Sequence, residues 1–229
     1  TEDEVQLLES FATALGVEER SVHNLRQLLE GHLKRLMFDL VRRSFLPGKM
    51  KWVATEGGLS TIWDIIRSRL GLTNSKLAAR CEALGELPEG TLGRAFHDHH
   101  VENGFALPGT KGGFPIAMAL HDLGHVVGGY GTDARSELLV AGFQAGYIDE
   151  DPLVMYLMIS LLFQLGIEPL AELRGVDPRK HQLDLDAYQA AYERGRAMNQ
   201  SHVNWDAWPH MERPLEAVRQ DLGIPPLVD

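Results

Sequence analysis

Apolar residues recur every three or four positions along most of this chain. They nowhere alternate with period two over a useful length. The pattern predicts an all-α protein, a multi-helix orthogonal bundle of about eight to ten helices with no sheet. Residues 1–15 read as a first helix. Thr1 and Glu4 have the form of a capping box, Val5, Leu8, Phe11, Ala12 and Leu15 make the stripe, and Gly16 ends it. A longer helix is expected over 21–45, capped by Ser21 and stopped by Pro47-Gly48, with Leu25, Leu29, Leu33, Leu36 and Leu40 on its buried face. A third follows over 59–70, with Ile62, Trp63, Ile65, Ile66 and Leu70 as its apolar positions.

Gly71-Leu72-Thr73-Asn74 is the best boundary, dividing an N-terminal helical segment, 1–72, from a second helical domain, 73–229. Thr73 or Asn74 caps a helix running through Leu84, and Pro88 and Thr91 start another that reaches Gly104. Pro108-Gly109 and Gly112-Gly113 predict a loop that leads into a helix from Phe114 to Val127 and is placed to act as a lid or substrate entrance. Gly128 and Gly129 stop that helix, and Thr132 is positioned to cap the next, which carries Glu137 and ends at Gly146. Asp151-Pro152 opens the most apolar run, Leu153 to Ile167, which reads as a central core helix or as one wall of a tunnel for a long apolar ligand. Residues 168–182 read as a loop. Leu183 to Met198 is a helix with Tyr188, Ala191 and Tyr192 inward, and a short helix near Arg213–Leu222 precedes Pro225-Pro226. Trp205 and Trp208 are expected to close off a core.

Composition narrows the class. The net charge of −10 removes the basic footprint a nucleic-acid binder needs. One cysteine, Cys81, excludes an internal disulfide and fits a reducing, cytoplasmic setting; its Ala/Leu-rich surroundings make it a small core residue. No apolar run reaches the ~20 residues of a membrane span, and no signal-peptide pattern opens the chain at Thr1. The stretch 32–51 is locally basic through Lys34, Arg35, Arg42, Arg43, Lys49 and Lys51. It reads as a solvated helix face, or as a patch for peripheral contact with anionic lipid.

The chemistry concentrates at His121-Asp122-Leu123-Gly124-His125 and Glu137. Two imidazoles four residues apart share a helix face and can reach one ion. Asp122, one position round, can ligate or orient a ligand, and a helix pair closed by Gly128-Gly129 can fold Glu137 back over the histidines. Neutral imidazoles with carboxylates suit zinc first, and iron or manganese as alternatives. A chance His-x-x-x-His is expected about 0.4 times in such a chain, but the full template only about 0.002 times. The bland alternative is two helix histidines bonded locally. His97, His99 and His100 form a second cluster. His97 and His100 are expected to share a face and His99 to point elsewhere, all three as surface groups or supports behind the ligands.

His121-Asp122-x-x-His125, eleven residues, then Glu137 resembles the signature of the coenzyme Q (ubiquinone) biosynthesis family called here the Coq-four family. Leu87-Pro88-Glu89-Gly90-Thr91-Leu92-Gly93 is similar to the segment that precedes that family's metal helix. The likeness covers roughly residues 77–165 and makes 73–229 a Coq-four-like domain. Ser136 departs from it, standing where the family has Gly. The first seventy residues lie outside it and are faintly similar, in pattern and not in motif, to helical tellurite-resistance TerB-like domains. The resemblance implies a metal-dependent lyase or oxidative decarboxylase acting on a prenylated or lipid-like aromatic substrate. His121, Asp122, His125 and Glu137 would be its catalytic and metal-binding residues. The expected partners are that small molecule, biosynthetic enzymes, and a second copy of the chain. Two other readings stay open. One is a non-catalytic, metal- and lipid-binding organiser of a biosynthetic complex. The other is a His-Asp phosphohydrolase, in which His97 rather than His125 would share the ion with His121.

Overall fold

The computed structural model describes residues 70–113, 120–148, 184–199 and 205–227, with scattered positions, mostly helical, before residue 70. The described residues are helical, as the 3.6-residue pattern requires. They form six α-helices: α1 (Ser75–Glu82), α2 (Leu92–Glu102), α3 (Leu120–Gly128), α4 (Ala134–Tyr147), α5 (Leu185–Arg196) and α6 (Leu215–Asp221). Short 3₁₀ turns cover Ala83–Glu86 and Trp208–His210. No strand occurs among the described residues beyond a single bridge between Thr91 and Pro214.

Each start has a local cause. The Asn74 side chain accepts from Leu77 N at α1, and Thr91 Oγ1 accepts from Arg94 N at α2. At α4 the cap is Asp133, which accepts from Arg135 N and Ser136 N. Thr132, expected in that role, instead donates to Asn103 Oδ1 at 2.6 Å. A carboxylate one residue later competes better for the helix amides because it adds charge at the positive end of the helix. Asp184 caps α5. The first N–H groups of α2 are taken by the C-terminal segment: Leu92 N donates to Arg213 O (2.9 Å) and Gly93 N to Met211 O (2.8 Å). This accounts for Leu87–Gly93. Thr91 caps, and a Cβ at Gly93 would sit 3.0 Å from Met211 O.

One core holds α3 in place. Phe96 of α2, Leu123 and Val127 of α3, Phe143 of α4, and Val218 and Leu222 of α6 are all buried within it. Cys81 is fully buried, and desolvation raises its thiol pKa to about 11. Trp205 and Trp208 pack against this core from outside, with the Arg80 guanidinium 3.6 Å over the Trp208 ring. Helices α4 and α5 approach to backbone contact. A Cβ at Gly146 would run into Tyr192 O, and one at Gly195 into Phe143 O. Position 136 is not part of that crossing: Ser136 Oγ donates to Asp133 Oδ2 at 2.6 Å, so the serine is accommodated as part of the cap.

The C-terminal end of α3 is held by two arginines. Gly129 (φ +75°) turns the chain, with its N–H on His125 O at 2.7 Å. Arg219 donates to Val127 O and Val126 O, both at 2.9 Å, and Arg194 to Gly128 O at 2.7 Å. These are carbonyls that a helix end leaves without partners. Arg219→Met should lower the unfolding free energy by about 2 kcal/mol, because two half-buried carbonyls lose charged donors. Urea unfolding checks this as a lower midpoint at unchanged slope; an unmoved midpoint contradicts it.

Two expectations change before residue 71. The helix expected over 21–45 is broken: Glu30 and Gly31 form a turn, Gly31 has φ +73°, and His32 N reaches back to Gln27 O at 2.8 Å. Buried Leu36 and Leu40 follow the break. Gly31 in the left-handed region ends the first piece, overriding a leucine pattern that runs on across it. In the stretch 59–70, Trp63, Ile66 and Leu70 are exposed. Helix α3 is described from Leu120, so its expected start at Phe114 lies outside the described residues, as do Leu153–Ile167, the 168–182 loop and most of the basic stretch 32–51. No helix among the described residues is long and apolar enough to cross a membrane.

Candidate metal centre

Helix α3 presents His121 and His125 on one face, and α4, turned back by Gly129, brings Glu137 over them. His121 Nε2 lies 3.1 Å from Glu137 Oε2 and 3.1 Å from His125 Nε2, and His125 Nε2 lies 3.4 Å from Glu137 Oε1. One donor atom from each residue lies within 4.8 Å of the others, the set that could hold a metal ion. The site opens at one end: the His121 side chain is 41% exposed, while that of His125 is 2%.

The far nitrogens decide which atoms face the centre. His125 Nδ1 lies 2.8 Å from Gly131 O, and His121 Nδ1 lies 3.2 Å from Gln144 Oε1. Gln144 Nε2 donates to His121 O at 3.3 Å, which fixes the amide with its oxygen toward the ring. A carbonyl can only accept, so both Nδ1 atoms carry hydrogen and both Nε2 lone pairs turn inward. Imidazoles that ligate metals are commonly held in this way. Two lone pairs and a carboxylate at such separations repel unless a cation or proton lies between them. In the metal-free protein a proton takes that place. Surrounding protein opposes charge on His121, but the bond to Glu137, the negative charges of Glu137 and Asp122, and the bond to Gln144 outweigh this and raise the pKa to about 9. Burial pushes Glu137 up, and the bonds from His121 and His125 more than reverse it, to about 2. The residues therefore fit a divalent ion of the nitrogen- and oxygen-binding kind.

Asp122 stands behind this group. Its Oδ2 faces His100 Nε2 at 3.2 Å, and His100 Nδ1 donates to Phe96 O at 2.9 Å. A buried histidine of α2 thereby ties to the first turn of α3. His97 and His100 do not share a partner. The His97 ring lies where a Cβ on Gly85 would sit, and its Nδ1 faces Asp98 at 3.3 Å. His99, expected to point elsewhere, stacks on His125 with ring centroids 5.2 Å apart. Burial, and then the neighbouring His125, lower its pKa to about 4. Residues 97, 99 and 100 lie at 100° steps round the helix, and periodicity alone does not say which step faces α3. Gln144 carried no sequence signal of a role; its position two turns after Glu137 on α4 was the available hint.

No protein-family profile matches the sequence, and no curated protein matches it. Among solved structures, the chain is similar to the crystal structure of a "Putative ubiquinone biosynthesis protein" from Nostoc punctiforme. The TM-score is 0.46 at 14% identity, over 90% of this chain and 97% of that one. That name belongs to the neighbour.

Gly124 offers a test of how Gln144 serves His121. A Cβ at position 124 would run into Gln144 Nε2. Because the struck atom is the end of a flexible side chain, Gly124→Ala should fold. It should release His121 from its fixed tautomer and weaken metal binding by roughly 10–100-fold, the usual effect of removing such a support. Competition with a chromogenic chelator measures this; equal affinity would show that Gln144 is incidental.

Proposed function

We propose that this chain is a metal-dependent enzyme of the ubiquinone-biosynthesis type. Its substrate is a prenylated or otherwise lipid-like aromatic acid, from which the ring carboxyl leaves as carbon dioxide while a hydroxyl takes its place. That exchange is a two-electron oxidation of the substrate: water supplies the new hydroxyl, and dioxygen takes up two electrons and two protons and leaves as hydrogen peroxide. The observation that supports it most is the convergence of His121 Nε2, His125 Nε2 and the Glu137 carboxylate, with each Nδ1 tied elsewhere. Three protein ligands leave coordination positions for a substrate. The choice between His125 and His97 as partner of His121 also favours this reading over a His-Asp phosphohydrolase.

A bound divalent ion, zinc in the first place and iron or manganese as alternatives, supplies Lewis-acid stabilisation of a carboxylate or phenolate oxygen. The chain does the rest. Gly131 O and Gln144 hold the tautomers, Glu137 supplies negative charge, and the His100–Asp122 pair fixes the first turn of α3. The half-exposed His121 edge is where substrate enters. Leu153–Ile167 is the segment proposed to wall the apolar tail, with a gain of roughly 25 cal/mol per Å2 buried.

The test is turnover of a 4-hydroxybenzoate carrying a prenyl chain beside the hydroxyl, labelled in its carboxyl carbon, under air. Metal-loaded protein should release labelled carbon dioxide, and Glu137→Gln should release none. Retention of the unreacted compound by the wild type, with no release, would mark a carrier instead. Neither binding nor release would remove the substrate assignment.

A further inference from the structure

Four imidazoles crowd the end of the fold where α2, α3 and α4 meet, and three have both nitrogens engaged. His121 faces Gln144 and Glu137, His125 faces Gly131 O and Glu137, and His100 faces Phe96 O and Asp122. His99 is the exception. Its Nε2 is shut off from solvent and has no hydrogen-bond partner. Buried polar atoms in native proteins nearly always have partners, and one left without costs about 1–3 kcal/mol. His99 is also outside the set of donor atoms that converge within 4.8 Å, so it is not a fourth ligand.

The surroundings of the ring say what would meet it. His125 lies face to face with it at 5.2 Å, and His100 and Phe105 stand edge-on at 5.7 and 5.9 Å. Phe105 begins the loop after α2 and is 45% exposed, an aromatic ring left at the surface next to a buried nitrogen. These rings pack on His99 itself, and Phe105 is the exposed one of the three, so a guest reaches Nε2 where that ring swings aside. An apolar ring edge beside an unpaired nitrogen asks for a molecule that is apolar with one oxygen on it.

We propose that His99 Nε2 is the hydrogen-bonding point for a hydroxyl on an aromatic ligand, and that Phe105 packs against that ligand's ring. This rests on the metal-centre reading only in placing the ligand beside the ion; the contact itself belongs to the protein and holds with or without metal. His99 is therefore a positioning residue for substrate, not a metal ligand. Shielding from water strengthens such a bond, since no bulk solvent competes for the nitrogen.

The experiment uses p-cresol as probe and toluene, the same ring and methyl group without the hydroxyl, as control. Both are titrated into the full chain, metal-free and zinc-loaded. For the metal-free wild type, p-cresol should bind at least about tenfold more tightly than toluene, the equivalent of one hydrogen bond. In His99→Phe, which keeps an aromatic ring in the box, that preference should vanish while zinc content stays unchanged. Nitrogen-15 spectra of ring-labelled wild type give a second readout that needs no variant: the His99 Nε2 resonance should move with p-cresol and stay put with toluene. A preference for p-cresol that survives in His99→Phe, or p-cresol binding that leaves that resonance unmoved, would overturn the proposal. So would a wild type that binds neither probe. Loss of zinc from His99→Phe would also overturn it, by making His99 a ligand. A wild type that takes up no zinc would instead sink the metal-centre reading, with the cresol comparison still deciding this one.

Discussion

His125→Ala protein should purify with less than about a tenth of an ion per chain where the wild type carries one. His125 is the candidate ligand the fold commits to most fully. Its side chain is 2% exposed, its Nδ1 is pinned to Gly131 O at 2.8 Å, and its Nε2 faces both His121 and Glu137. Removing it leaves two protein ligands, one of them on the open side of the site. Support residues alone are worth 10–100-fold in affinity, and a ligand itself is worth more. The fold should survive, because α3 is anchored through Leu123, Val126 and Val127 and through the arginines on its last carbonyls. Glu137→Gln should give the same loss of metal without changing volume, separating charge from space. Elemental analysis of the three proteins, purified in parallel, makes the comparison. Full metal occupancy in His125→Ala would mean the ion, if any, sits elsewhere.

The second large effect is on pH. In the metal-free protein His121 holds a proton to about 9, and Glu137 stays ionised to about 2. The signs follow from linkage. A histidine whose pKa is raised on folding stabilises the fold fully below its ordinary value near 6.5, and that contribution is lost as pH rises toward 9. A carboxylate whose pKa is lowered stabilises the fold above its ordinary value near 4.5, and that contribution is lost as pH falls toward 2. Metal-free protein should therefore be most stable between about pH 4.5 and 6.5 and lose melting temperature on the alkaline side. Metal binding runs the other way. The ion must displace the proton on His121, so apparent affinity should rise about tenfold per pH unit from 6.5 to 9, and mild acid should strip the metal. Opposite slopes for the two forms, read by thermal unfolding with and without zinc, are the signature. Parallel slopes would mean that the proton and the ion do not share a place.

Helix positions were legible because caps and apolar spacing are local. Asn74, Thr91 and Gly129 act in the structure as their residue types require. The three candidate ligands were legible for a related reason. The four-residue spacing in α3 fixes one pair by geometry alone, and the glycines after it allow the chain to return with Glu137. What the pattern did not hold was orientation between helices. His99 and His97 differ by two positions on α2; one stacks on His125 and the other packs beneath Gly85, a choice set by how α2 crosses its neighbours. Gln144 is the same case, a polar residue in the apolar stretch of α4 after Glu137, whose partner lies 23 residues away. Gly31 shows the reverse, a local signal drowned by a leucine run that continues on both sides of it.

The central claim is that His121, His125 and Glu137 hold one ion. Anomalous diffraction from crystals of the protein as purified, collected on both sides of the zinc absorption edge, locates such an ion and names it. The predicted result is a single peak at ~2.0–2.2 Å from His121 Nε2, His125 Nε2 and a Glu137 oxygen. Asp122 should remain on His100, outside the coordination sphere. A peak on His97, or density showing Glu137 turned away from both imidazoles, would contradict it.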